Sequence, residues 1–110
     1  MAKVYLEQLR SLIDEMKISE EITSSIETKH FFSGAALYAN GVISISLSPV
    51  GIAFKLTEPV ATELLDNGEA IPLRYFPKAH VKKGYALFPQ PDLSNLEKWR
   101  KYFIESIGQA

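Results

Sequence analysis

The chain predicts an α+β domain: an antiparallel β-sheet of about five to six strands in meander hairpins, packed against amphipathic helices at both ends. Three observations carry this expectation. Apolar residues recur with helical spacing near each terminus, the middle of the chain alternates with a period of two, and an Asn-Gly pair interrupts that alternation. The expected order is α-β-β-β-β-α-β-β-α.

From Val4 to Lys17, residues Tyr5, Leu9, Leu12, Ile13 and Met16 form the stripe of an amphipathic helix. Ile18 to Ser25 is polar and reads as a connecting loop or a short helical turn. From Ile26 to Leu56 the period changes to two. Asn40-Gly41 lies between residues 34–39 and 42–47, and this dipeptide favours a type I′ hairpin turn, which needs positive φ at both positions. In the second of these strands Ile43, Ile45 and Leu47 alternate with Ser44, Ser46 and Ser48, placing one face on a core and the other in water. With regular pairing across the turn, Tyr38 stands opposite Ile43 and Ala36 opposite Ile45. Tyr38 then faces the core and Leu37 sits beside Ser44. Ser48-Pro49-Val50-Gly51 is a turn, and Ile52, Phe54 and Leu56 return as the next strand.

Glu58-Pro59-Val60 opens a short second helix, because proline near the first helical position loses no hydrogen bond, and Gly68 supplies its left-handed C-terminal cap. Leu73 to Phe76 and Val81 to Phe88 read as two strands joined around Pro77, with Lys83 and Tyr85 on one face and Lys82 and Gly84 on the other. Asp92 and Ser94 are candidate N-caps for the last helix, Ser94 and Glu97 having the capping-box spacing. Leu96, Trp99, Phe103 and Ile107 give that helix its apolar face, Trp99 being its largest core residue.

A chain of 110 residues with 46% apolar and 23% charged residues fits one globular domain. The absence of cysteine excludes disulfides, thiolate metal sites and a cysteine nucleophile. The N-terminal residues reach a charge too early for a signal peptide and no stretch is long enough to span a bilayer, so a cytoplasmic location without membrane contact is expected. Net charge is −1, but residues 1–69 carry five basic and ten acidic residues, and residues 70–110 seven and three. The opposite charge of the two halves, or an exposed sheet edge, allows a homodimer.

No catalytic constellation emerges. His30 and His80 lie near no nucleophile signature and lack metal-ligand spacing. Adjacent acids such as Asp14-Glu15 and Glu20-Glu21 diverge on a helix and cannot act as a pair on one substrate. The glycines are scattered singly, without a phosphate-binding loop. No enzyme activity, cofactor or metal is therefore expected. Arg74, Lys78, His80, Lys82 and Lys83, interleaved with Tyr75, Phe76 and Tyr85, could neutralise phosphates and stack on bases, which makes direct nucleic-acid binding the alternative reading. A third reading is a small ligand site or enzyme built from His30, Tyr38 and Tyr85.

The run Lys29-His30-Phe31-Phe32-Ser33-Gly34-Ala35-Ala36-Leu37-Tyr38-Ala39-Asn40-Gly41, followed by Phe54-Lys55-Leu56, Tyr75-Phe76-Pro77 and Lys82-Lys83-Gly84-Tyr85, resembles the TfoX (Sxy) N-terminal domain family. Phe32, Gly34, Leu37, Tyr38 and Gly41 keep that family's Phe-Gly-Gly-x-Gly-Leu-Tyr run before an Asn-Gly or Asp-Gly turn, with Ser33 and Ala36 standing where glycines are usual. The resemblance extends from about Tyr5 to Ile107 and implies a stand-alone, single-domain member. It also implies a helix followed by an antiparallel sheet with further helices, and a role in bacterial gene regulation, since fuller members resemble competence regulators that promote transcription with the cAMP receptor protein. The leading expectation is thus a non-enzymatic regulatory domain with a protein partner in the transcription machinery. Its candidate contact surface is Arg74, Lys78, His80, Lys82 and Lys83, or Lys98, Arg100 and Lys101 on the last helix.

Overall fold

A computed structural model describes the chain except residues 1, 24, 32–33, 74–81, 90–91 and 109–110; for residues 2, 3, 82 and 83 it describes the backbone alone. Helix α1 (Ala2–Glu15) stops at Lys17, which takes the left-handed region at φ 53°, and a 3-10 turn at Ile18–Glu20 follows. Strands β1 (Ile26–Phe31), β2 (Gly34–Ala39), β3 (Val42–Ser48) and β4 (Gly51–Lys55) form an antiparallel meander. Helix α2 (Glu58–Asp66) then carries the chain to β5 (Ile71–Leu73), β6 (Lys82–Phe88) and helix α3 (Leu96–Ile107). β6 inserts between β4 and β5, so the six strands run β1-β2-β3-β4-β6-β5, all antiparallel. The expected fold class and element order are those observed.

Local chemistry explains the connections. Asn40 and Gly41 both have positive φ, 51° and 84°, as a type I′ turn requires. The Asn40 side chain also accepts from the Ser25 amide, tying this turn to the residue before β1. Thr57 caps α2 with Pro59 in its first turn, and Gly68 at φ 79° closes its C-terminus. Gly34 has a different purpose: a Cβ there would run into the Leu47 carbonyl oxygen, so glycine lets β2 and β3 approach.

All three helices lie on one face of the sheet. Leu9 and Leu12 of α1, Met16 just after it, Leu64 of α2, and Trp99, Phe103 and Ile107 of α3 close over Leu37, Ile45, Leu47, Ile52, Phe54 and Phe88. Each such side chain stabilises the fold by about 1.5–3 kcal/mol when fully buried. Phe54 is central, stacked on Trp99 with centroids 6.0 Å apart and edge-on to Phe103 at 5.5 Å.

The register between β2 and β3 departs from expectation. Tyr38 does stand opposite Ile43, but Leu37, not Ala36, is opposite Ile45. Ser44 is an extra residue, a β-bulge, and it turns the pleat over at that point. Leu37 therefore packs under the helices, fully buried, while Tyr38 and Ile43 face the other side. That other side is not simply wet, as the serine alternation suggested: Ala53, Leu73, Tyr85 and Leu87 form a second apolar cluster there, and Ser44 itself is buried.

Two further expectations are corrected. Alternation holds over Tyr85–Phe88, whose side chains fall in turn on the two faces, but is interrupted before them, where Gly84 takes φ 81° and the register against β5 jumps from Pro72–Ala86 to Leu73–Lys82. The cap of α3 is Asn95, whose Oδ1 accepts from the Lys98 amide, rather than Asp92 or Ser94. Asp92 Oδ1 instead accepts from both the amide and the hydroxyl of Ser94, closing a turn one residue earlier. The Phe32-Ser33 part of the motif, residues 74–76 of the expected strand and the Pro77 turn lie outside the described residues.

Candidate interaction surface

The basic residues nominated from the sequence have different surroundings. Arg74, Lys78 and His80 fall outside the described residues, and of Lys82 and Lys83 the backbone in β6 is described. The trio on α3 can be placed in full. Arg100 is committed internally: its Nε donates to the Met16 carbonyl at 2.8 Å and its Nη2 lies 2.9 Å from Glu21 Oε1. It thus joins α3 to the turn after α1, satisfying one of the carbonyls that a helix end leaves open. Lys101 is exposed.

Lys98 is exposed but aimed. Its ammonium sits 4.9 Å from the Trp99 ring centroid and 5.7 Å from that of Phe88, within cation–π range of both. The rings form the floor of a cleft of about 240 Å³, whose rim includes Glu69, Pro89, Asp92 and Asn95. Trp99 is fixed from beneath, since its indole Nε1 donates to the Asp92 carbonyl at 2.7 Å. The Ser94 hydroxyl and then the Ser94 amide, both donating to the Asp92 carboxylate, hold its pKa below the ordinary carboxylate value. The result is a cleft whose aromatic floor, Phe88 and Trp99, is itself almost fully buried, with one exposed cation above it and two carboxylates at its margin, so the charged rim is what a partner would meet.

The trio His30, Tyr38 and Tyr85 does not converge. His30 pairs with Ala35 on the helix-covered side of the sheet, while Tyr38 and Tyr85 lie on the opposite side. Tyr85 donates its hydroxyl to the Ile43 carbonyl at 2.8 Å, and burial raises its pKa. Among the described residues no group of three or more His, Asp or Glu side chains could hold a metal ion, and no helix is long and apolar enough to cross a membrane.

Compared with models of known protein families the chain matches none, and no curated protein matches it.

The cleft was only partly readable in the sequence. The sequence marks Lys98 as surface and Trp99 as core, but their proximity to Phe88 depends on how α3 packs over β3 and β4, next to the end of β6. Periodicity within one element does not predict such a crossing.

Proposed function

We propose that this chain is a cytoplasmic, non-enzymatic regulatory domain of the TfoX (Sxy) N-terminal type, acting on bacterial transcription or competence by binding another protein. The resemblance over Lys29 to Gly41 is what brings the regulatory role. It is supported by the position of the motif residues, because Gly34, Leu37 and Gly41 stand where strand packing, core and turn need them rather than around a reaction site. The observation that carries the binding reading is the exposed Lys98 ammonium held over the Trp99 and Phe88 rings, with the exposed Lys101 one turn further along α3.

Affinity capture from a bacterial lysate, followed by mass spectrometry, tests this. The wild-type chain is expected to retain a protein of the transcription machinery, and a Lys98→Glu/Lys101→Glu variant to lose it while keeping its fold. Capture of no transcription-related protein sinks the proposal. Retardation of DNA or RNA that weakens steeply with salt would favour direct nucleic-acid binding instead.

A further inference from the structure

The two edges of the sheet are unlike. β5, described over Ile71–Leu73, contains Pro72, which has no N–H to donate, and this blunts that edge against further pairing. β1 is six residues long, Ile26-Glu27-Thr28-Lys29-His30-Phe31, without proline or glycine, and among the described residues it pairs with β2 alone. Beside it, between α1 and β1, lies an open groove of about 250 Å³ with Arg10, Asp14 and Thr28 among its lining.

Charges on an edge strand normally keep other strands away. Here the signs alternate instead. Glu27 and Lys29 lie on the same face of β1, 3.4 Å apart, with side chains 67% and 56% exposed. A second copy related by a two-fold axis normal to the sheet pairs antiparallel and keeps the helices on the same side. The axis must then pass through one residue of β1. Through Thr28, it sets Glu27 opposite Lys29 twice, Thr28 opposite Thr28 and Ile26 opposite His30. Moved one residue either way, it sets Glu27 against Glu27 or Lys29 against Lys29, a destabilising arrangement.

We propose that the chain forms a homodimer in which β1 pairs with β1 of a second copy, in register about Thr28, joining two six-stranded sheets into one. This interface is separate from the Lys98 patch and does not depend on the regulatory reading.

Light scattering during size exclusion, over a range of protein concentrations, tests it on four proteins: wild type, Glu27→Lys, Lys29→Glu and the double variant. The wild type is expected at twice the chain mass of 12.3 kDa. Either single variant sets like charges opposite each other and should raise the dissociation constant by about tenfold or more. The double variant exchanges the signs and should restore the dimer. Both positions are exposed, so circular dichroism should be unchanged throughout. A wild type that stays monomeric at high concentration overturns the proposal. So does a dimer indifferent to the single variants, or single-variant dissociation that the double variant fails to repair.

Discussion

Ser44 is the residue at which reading by alternation fails. A bulge interrupts the ladder, and the carbonyls beside it need other partners. They find them from both sides of the sheet. The Ser106 hydroxyl, reaching in from α3, donates to the Ser44 carbonyl at 2.6 Å and accepts from the Lys55 amide at 3.1 Å. The Tyr85 hydroxyl takes the Ile43 carbonyl. Ser106 is fully buried, so Ser106→Ala should leave a buried carbonyl and a buried amide without their partner and cost about 1–3 kcal/mol, read as a lower urea midpoint with an unchanged slope. A loss well below that range would mean that the bulge relaxes into regular pairing. Nothing in Ile43-Ser44-Ile45 distinguishes a bulge from an ordinary alternating strand; the reason for it lies sixty residues away on another element.

At the scale of elements, the helices and turns were legible because their signals are local. Asn40-Gly41, Pro59 and Gly68 each fix a backbone conformation within a few residues, and the stripe of Leu96, Trp99, Phe103 and Ile107 marks the buried side of α3. The start of α3 was less so, since Asp92, Ser94 and Asn95 are all capping residues and differ only in which turn they close. Asn95 occupies the cap, and Asn95→Ala should cost about 0.5–1 kcal/mol, the low end of capping effects because its hydrogen bond is long at 3.5 Å. Ser94→Ala should cost less, removing an exposed contact to Asp92. Thermal midpoints of the two variants would decide it, and a larger loss for Ser94→Ala would return the cap to Ser94. The basic residues of α3 show the same division. Their charge is plain in the sequence, but that Arg100 is tied to Met16 and Glu21 while Lys98 overhangs Trp99 follows from how α3 crosses the molecule.

Across the whole molecule, the titratable groups held away from their ordinary values set opposite limits on stability. Asp92 has its pKa lowered in the folded state, so what it contributes is present above the ordinary carboxylate value of 3.8 and is lost as pH falls through its folded pKa. Tyr85, through burial, and Tyr102, through burial and then the nearby carboxylates of Glu69, Glu105 and Glu63, have pKa values raised above 10.0. Folding therefore favours their neutral phenols. That contribution is complete below pH 10 and disappears as pH climbs through the raised values, where the native state must ionise a phenol set against the core or beside three acids. Tyr85→Phe removes one of these groups together with its bond to the Ile43 carbonyl. Urea unfolding followed by the fluorescence of Trp99, which α3 buries against Phe54, should show this variant less stable than wild type near neutral pH, with the gap narrowing above about pH 10. A gap that stays constant to higher pH would place the alkaline sensitivity outside Tyr85, leaving Tyr102 and its acidic neighbours as its source.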